Sequence, residues 1–495
     1  MDENTKNVNS FPFGSKENYF LSQIYSKGKF ITGNVKSKLV LNEINYKIKP
    51  FLLLYPSIED HLKISRHFEL EIKGFFENVA QEKVGEIHIP RAYMERSLTS
   101  SFSSSWEENV IEVFPDEIYL KHYLKGEEVR KGKAYITFFL TDNKIVRPWG
   151  SITRSYRGQV KSELEPRVII KLDEGWIIKF EDHFYYLDTT INKVHGNFSS
   201  SQLVLTFEKD NYLISSISEV WKMTNLVNNL LWYLSFGTRQ STTWIKWEAV
   251  VGNEYVEYYR NVSMPEENDY YEPLVDRGSI QEFLQHCLAY QEKKNNLNLH
   301  LPIVYLVGSA KRGKTAESEF LSLFMSLEAL LNLFARSRHK NAYFSGENQE
   351  KWSNLFGKLR ETIDEMGDLN GNDRAFFVGK LGNLNQTSIK VKYQYFCKEM
   401  TVDNSDLWPI DEDQDRDLYR IRNKLIHGKQ FGYESFFGIA KEHLRWIIER
   451  CLLRAVRWEK KTDVDREVLY NYTAYLDWKS YYTAKPLSNK TLLDI

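Results

Sequence analysis

The sequence predicts an α+β multidomain protein, with a β-rich N-terminal domain followed by an all-α C-terminal helical bundle. In the first two hundred residues, short β-branched and aromatic runs alternate with polar turn residues. From about residue 209 onward, apolar residues recur at helical spacing instead. A chain of 495 residues can form two or three domains with full hydrophobic cores. We therefore divide it into 1–207 (β-rich), 208–312 (mixed, mainly helical connection) and 313–495 (helical bundle).

Within the first region, three successive runs predict an antiparallel meander: Val168–Leu172, Trp176–Phe180 and Phe184–Leu187. The polar triplets between them, Asp173-Glu174-Gly175 and Glu181-Asp182-His183, are typical of turns. Further strands are expected at Lys38–Ile48, Phe68–Ile72 and Ala134–Leu140. Loops are expected at Ser97–Ser105 and Asn197–Ser201.

The middle of the chain changes character twice. Apolar spacing predicts helices over Tyr212–Phe236 and Ser279–Gln291, whereas the Pro-containing, tyrosine-rich Tyr255–Asp276 predicts an irregular connection. The bundle then begins with an apolar stripe from Phe320 to Phe334 at i, i+3, i+4, i+7 spacing. Its later helices are expected at Glu350–Met366, Ser388–Met400, Gln414–His427 and Phe436–Trp458.

Composition limits the functions to consider. The net charge is −1, so any contact with RNA must be local and not a long basic groove. Three widely spaced cysteines and a polar, acidic start predict a reducing, cytoplasmic location. No run is long and apolar enough to predict a membrane partner. No Cys/His cluster has zinc-ligand spacing, so we expect no metal and no cofactor.

The most informative segment is Arg422-Asn423-Lys424-Leu425-Ile426-His427-Gly428. Asn423 and His427 are four residues apart and therefore neighbours on a helix, and the long Arg422 side chain can reach across to them. Imidazole is a proton carrier near neutral pH, and guanidinium can bind two phosphate oxygens at once. Gly428 is placed for a left-handed C-cap, and the acids from Asp411 to Asp417 crowd the start of the helix. The plainer interpretation is structural, with Arg422 pairing with a nearby acid and His427 capping carbonyl groups.

This segment resembles the Arg-Asn-x3-His signature of the HEPN superfamily, and the Apea-like branch is the most similar. Two other segments resemble that branch: Ser326-Leu327-Glu328-Ala329-Leu330-Leu331 on the first bundle helix, and Gly382-Asn383-Leu384-Asn385-Gln386-Thr387-Ser388. The likeness covers about residues 316–458, under a third of the chain. More loosely, the β-rich part is similar to the N-terminal domain of Apea-type phage-defence proteins.

The resemblance implies a metal-independent endoribonuclease, with Arg422 and His427 catalytic and Asn423 supporting them. It implies a homodimer through the HEPN domain, in which two motif helices form a composite site. It also implies an RNA substrate, with tRNA recurring in the family, and a role in antiviral abortive infection or as a toxin. The N-terminal domain would then be a sensor or restraint that responds to a phage-derived protein trigger. The alternative is a non-catalytic HEPN module that binds protein or RNA.

A third candidate is a P-loop NTPase. Gly308-Ser309-Ala310-Lys311-Arg312-Gly313-Lys314-Thr315 satisfies the pattern G-x4-G-K-T, so Gly308, Gly313, Lys314 and Thr315 would hold a nucleotide. A P-loop also requires a strand before it, a parallel sheet and a second acidic strand end that binds the metal. Only the apolar run Ile303–Val307 meets any of these conditions, so nucleotide binding ranks behind the HEPN interpretation.

Overall fold

A computed structural model describes residues 19–40, 51–64, 66–77, 83–98, 110–124, 132–154, 160–186, 199–260, 272–293, 297–310, 314–340, 342–343, 348–412, 416–428, 434–460 and 478–483. The chain divides into two compact units. The first unit comprises Met1–Val227 and Thr242–Pro265, and the second comprises Asn228–Ser241 and Glu266–Ile495. The first is built mainly of strands and the second of helices, which confirms the α+β class.

The described strands all lie in the first unit. In chain order they are β1 (Tyr19–Ser26), β2 (Lys29–Val40), β3 (Phe51–Tyr55), β4 (Glu69–Glu77), β5 (Lys83–Leu98), β6 (Val110–Pro115), β7 (Glu117–Tyr123), β8 (Lys133–Leu140), β9 (Trp149–Arg154), β10 (Val160–Glu165), β11 (Ile169–Lys171), β12 (Ile177–Tyr186), β13 (Ser199–Asp210), β14 (Trp244–Val251) and β15 (Glu254–Arg260). A short helix, α1 (Ile58–Ile64), follows β3. Every described pairing is antiparallel.

Thirteen strands form one sheet in the order β11-β12-β13-β8-β14-β15-β7-β5-β4-β1-β2-β3-β6. Because β6 also pairs with β5, the last six strands close into a barrel. The 16-residue strand β5 makes this possible, since its first half pairs with β7 and its second half with β6. Alternate residues point inward and fill the barrel with aliphatic side chains such as Ile24, Leu52 and Ile72.

The sheet corrects two predictions about the β region. Glu181-Asp182-His183 is not a turn, since β12 runs straight through it, and Arg147 neutralises Asp182 through an Nη1–Oδ1 contact of 3.0 Å. The irregular connection predicted over Tyr255–Asp276 is wrong at its start, where β15 occupies Glu254–Arg260. A polar strand is tolerated there because its charges are paired within the sheet.

Other predictions for this region are confirmed only in part. Strands cover the predicted runs at Phe68–Ile72 and Ala134–Leu140 almost completely. The predicted loops begin or end inside strands, since β5 includes Ser97 and Leu98 and β13 begins at Ser199. The remainder of those loops, and residues 41–48 of the Lys38–Ile48 run, lie outside the described residues.

The boundary between the two units falls within helix α2 (Ile217–Thr238), between Val227 and Asn228. The helices of the second unit are α3 (Ile280–Gln291), α4 (His300–Ser309), α5 (Ala316–Ser337), α6 (Gln349–Glu365), α7 (Gly371–Leu381), α8 (Ile389–Met400), α9 (Leu418–Ile426), α10 (Glu434–Ala455) and α11 (Trp478–Thr483). The predicted helices of the middle region and the bundle are thus confirmed. The helix containing Arg422 is shorter than expected, because it begins at Leu418 and not at Gln414.

Helix α5 is the centre of the second unit. It contacts α4, α8, α9 and α10, and the apolar stripe predicted from Phe320 to Phe334 is buried. Aromatic contacts join it to three neighbours: Phe320 with Phe437, Phe334 with Phe396, and Phe324 with Tyr419. Among the described helices, only α5 is long and apolar enough to cross a membrane, but half of it is buried within the protein. Such burial is typical of the core helix of a soluble protein.

A buried ion pair ties the end of α2 to α10. The Arg239 guanidinium donates from Nε and Nη2 to the two carboxylate oxygens of Glu449, at 2.8 and 2.6 Å. Its third nitrogen donates to the backbone carbonyl of Glu272 at 3.2 Å. Both side chains are at most 5% exposed. Removal of one partner would therefore leave a buried, uncompensated charge.

We expect Glu449→Ala to lower the free energy of unfolding by about 3–5 kcal/mol, because Arg239 would stay buried without its counter-ion. Chemical denaturation monitored by circular dichroism measures this change. The control is Asp364→Ala, which breaks the exposed Arg360–Asp364 pair on α6 and should change stability by less than about 0.5 kcal/mol. An equal, small effect in both variants would contradict the prediction.

Candidate active site

The motif residues occupy the last turns of α9 and its cap. Leu418 and Ile421 bury one face of the helix, while Leu425 is only half-buried and Ile426 is exposed. The helix ends at His427, whose backbone N–H donates to the Asn423 carbonyl at 3.1 Å. Gly428 follows at φ +63°, which confirms the predicted left-handed C-cap. The motif side chains therefore lie at the C-terminal end of a helix that Gly428 terminates.

Asp417 holds the start of α9 in place. Asp417 is the N-cap residue and is fully buried. Its carboxylate accepts from the Glu412 backbone N–H at 2.7 Å and from the Tyr482 hydroxyl at 2.5 Å. It thereby ties α11 and the preceding segment to the helix that bears the motif. Asp413 and Asp415, expected in the same acidic group, lie outside the described residues.

The Arg422 guanidinium is held from two sides. Its Nη1 donates to the Asn423 side-chain oxygen at 3.1 Å, which confirms that Arg422 reaches across to its neighbour. Its Nη2 lies 3.2 Å from a carboxylate oxygen of Glu328 on α5, and the two side chains are 27% and 29% exposed. The guanidinium also lies over the Phe324 ring, 5.8 Å from its centroid. Arg422 is thus positioned and still reachable from solvent.

His427 is exposed at the C-cap of α9. Among the described residues its imidazole has no hydrogen-bond partner, so it caps no described carbonyl group. It is five residues from Arg422, which corresponds to roughly 7 Å along the helix axis. The structural interpretation therefore holds for Arg422, which does pair with an acid, but it does not account for the His427 side chain.

Glu328 belongs to this site, although the sequence analysis assigned it no role. It lies in the segment Ser326–Leu331 that carries part of the HEPN resemblance. The sequence did contain one indication of this role, since Glu328 is the one charged residue in the otherwise largely apolar segment Ser326–Leu331. A charged side chain at the edge of a buried stripe requires a partner, and Arg422 is that partner.

The segment before the P-loop pattern lacks the strand that a nucleotide site of this kind requires. Ile303–Val307 is part of helix α4 and not a strand, and Gly308 is still helical. Lys314 donates to the Gly308 carbonyl at 2.7 Å, and Thr315 caps α5 by accepting from the Ser318 backbone N–H. The pattern therefore marks a link between two helices, where a basic side chain satisfies a helix-terminal carbonyl. Gly313 lies outside the described residues.

A second charged cluster is buried in the sheet of the first unit. Lys246 on β14 contacts Glu257 on β15 and lies 3.1 Å from Glu248. Although burial by itself raises the pKa of Glu257, Lys246 and the neighbouring His122 hold that pKa at about 2. Tyr255 donates to Glu248 at 2.8 Å. Each charged group of this cluster therefore has an oppositely charged or hydrogen-bonding partner within the sheet.

The first unit also has an open cleft of about 930 Å³. Strands β1, β4, β5 and β7, the start of α2 and the turn between β14 and β15 line it. Its cations are already paired, Lys73 with Glu71 at 2.8 Å and Lys121 with Glu254 at 3.4 Å.

Within the described residues, no group of three or more His, Cys, Asp or Glu side chains could hold a metal ion.

We expect the purified protein not to hydrolyse ATP, because Lys314 is used as a helix cap. Lys314→Ala should leave the background rate unchanged and lower the free energy of unfolding by about 1 kcal/mol, the value of one hydrogen bond. Phosphate release and thermal denaturation measure the two effects. Hydrolysis by the wild type that disappears in Lys314→Ala would restore the P-loop interpretation.

Comparison with protein-family models, with curated proteins and with solved structures finds no match to this chain. The likeness to the HEPN superfamily therefore rests on the sequence segments quoted for it and on the order of the predicted helices. What that likeness implies about activity is a proposal.

Proposed function

We propose that this protein is a metal-independent endoribonuclease of the HEPN type, with Arg422 and His427 as catalytic residues and Asn423 in support. The arrangement at the end of α9 carries the proposal. A guanidinium is oriented by an amide and a carboxylate, and it shares a short helix with an imidazole that is open to solvent. These groups suffice for cleavage by the neighbouring 2′-hydroxyl of RNA.

In that reaction the 2′-oxygen attacks the adjacent phosphorus, and the bond to the 5′-oxygen breaks. One proton leaves the 2′-hydroxyl and another reaches the departing 5′-oxygen, which yields a 2′,3′-cyclic phosphate and a 5′-hydroxyl end. An imidazole can donate or accept a proton in such a step, and His427 would carry one of the two protons. The composite site that the resemblance implies would bring in the same residue of a second copy for the other proton.

Arg422 would stabilise the negative charge that develops on the phosphate. Its guanidinium has five N–H donors, and the contacts to Glu328 and Asn423 use only two of them. The remaining donors can bind phosphate oxygens while Glu328 keeps the side chain in place. Glu328 is therefore a positioning residue, since it acts through Arg422.

The biological setting belongs to the same proposal. We infer a homodimer through the HEPN domain, RNA as the substrate with tRNA as the first candidate, and a cytoplasmic role in abortive infection. All three cysteines are free thiols, which fits a reducing compartment. The β-rich N-terminal unit would restrain the nuclease until a phage-derived protein binds, and the open cleft of that unit supports a binding role.

One observation favours a second candidate, a non-catalytic HEPN module that binds protein or RNA. Arg422 is already paired with Glu328, as in a purely structural helix contact. A part-exposed pair of this kind contributes about 1 kcal/mol or less, so a phosphate can compete for the guanidinium. The cleavage experiment below separates the two candidates.

Wild-type protein should cleave cellular RNA in EDTA, and Arg422→Ala and His427→Ala should each lower the rate by about 10²-fold or more, because each removes a group needed in the transition state. Gel analysis of total RNA, followed by mapping of the cut ends, measures this. Arg420→Ala is the matched control, since it removes an exposed cation from the same helix but outside the motif.

Cleavage at equal rates by all four proteins would place the activity elsewhere and overturn the proposal. Absence of cleavage together with intact RNA binding would favour the non-catalytic module. Cut ends that carry a 3′-hydroxyl would also contradict attack by the 2′-hydroxyl.

Glu328→Ala should lower kcat about fivefold, the equivalent of about 1 kcal/mol, because the ion pair that orients Arg422 is lost. Glu328→Gln keeps an oxygen acceptor and should retain most of the rate. KM should not rise in either variant, since a negative charge near the RNA is removed. Equal losses in both variants, or a loss that follows a drop in thermal stability, would exclude a positioning role.

A further inference from the structure

The open side of α5 carries a stripe of polar residues that lies outside the apolar core of the bundle. Glu328, Asn332 and Arg336 follow one another at four-residue intervals, so they lie along one line on the helix surface. Each step is about 6 Å along the axis. Asn332 and Arg336 are exposed, whereas Leu330, Leu331 and Phe334, which lie between Glu328 and Arg336 in the sequence, are buried.

Cations from two neighbouring helices reach this stripe. Arg422 on α9 contacts Glu328, with 3.2 Å between Nη2 and the carboxylate oxygen. Lys392 in the second turn of α8 donates from Nζ to the Asn332 side-chain oxygen at 2.8 Å. With Arg336 on α5 itself, three positive groups succeed one another in the order Arg422, Lys392, Arg336.

The second and third of these cations lack counter-ions. Within the residues that the structure describes, neither Lys392 nor Arg336 forms an ion pair with a carboxylate, and the one side-chain partner of Lys392 is a neutral amide. Partial burial and the nearby Arg336 lower the pKa of Lys392, while Glu328 opposes them. The next cations along, Arg338 and Lys340, are by contrast paired with Glu399. Adjacent like charges without compensation cost free energy, and an anion would recover it.

We propose that this stripe is a backbone-binding lane for single-stranded RNA, in which Arg422 takes the scissile phosphate and Lys392 and Arg336 take successive phosphates on one side of it. The inference rests on the proposed ribonuclease function and specifies its substrate. Steps of one helical turn suit the phosphates of one extended strand. A duplex would require cations along two strands, and the net charge of −1 argues against so broad a basic surface.

The lane can be tested by binding, with cleavage prevented by His427→Ala in the full-length chain. The probe is a fluorescein-labelled single-stranded RNA of twelve nucleotides, titrated at several salt concentrations. Lys392→Gln and Arg336→Gln should each weaken binding about threefold to tenfold, and each should reduce the slope of log K against log salt by about 0.7, the value for one phosphate contact on a single strand. Lys398→Gln removes an exposed cation from another face of α8 and should change neither quantity.

Steady-state kinetics can separate the contribution of the lane from that of the catalytic site. With an intact His427, Lys392→Gln should raise KM for the twelve-nucleotide RNA and leave kcat unchanged, because the lost contact exists equally in the ground and transition states. For a dinucleotide, whose single phosphate lies at Arg422, Lys392→Gln and wild type should react alike.

The outcomes distinguish the two claims. If Lys392→Gln and Arg336→Gln keep the wild-type salt slope while wild type still cleaves RNA, the lane is wrong and the ribonuclease proposal stands. If the slopes fall but no protein cleaves RNA, the lane stands and the site binds without catalysis. If Lys398→Gln weakens RNA binding by the same factor, the effect reflects only the overall charge of the protein, and the lane is overturned.

Discussion

The burial of one apolar stripe on α5 is the constraint on which the second unit depends. Phe320, Phe324 and Phe334 hold α10, α9 and α8 against it through aromatic contacts. A helix packed on so much of its circumference keeps only one narrow side open. The groups of chemical interest lie along that side, where Asn332 and Arg336 are exposed and Glu328 is half-buried. Core packing contributes to the position of Arg422, since the contact between Phe324 and Tyr419 holds α9 against α5.

Much of this arrangement could be predicted from the sequence. Helical periodicity identified α5, α6, α8 and α10 to within a few residues, and Gly428 correctly marked the end of α9. Such features are local, since spacing along the chain determines which face is apolar and where a left-handed residue is needed. The three motif residues are also local to one another, so the contact between Arg422 and Asn423 was foreseeable.

The remaining features depend on residues far apart in the chain. Glu328 and Arg422 are 94 positions apart, and no pattern in one sequence links them. The strand β15 was predicted to be part of a connection because the segment is polar, tyrosine-rich and contains prolines, yet Lys246 on the adjacent strand pairs with Glu257. The P-loop pattern also lacked the structural context that it requires. Its letters matched, but a phosphate cradle also needs a strand before it, and helix α4 takes that place.

The closure of the barrel has a consequence for the behaviour of the protein during synthesis and storage. An unpaired sheet margin offers backbone N–H and C=O groups to any other chain and so invites fibrous self-association. In the described part of the chain, the thirteen-stranded sheet meets itself at one end through β5 and β6, which leaves β11 as its terminal strand at the other end. That strand has three residues and ends in Lys171, so it is too short and too charged to template a growing stack. Backbone of this sheet that could pair with another chain is therefore confined to the end that contains β11 and β12.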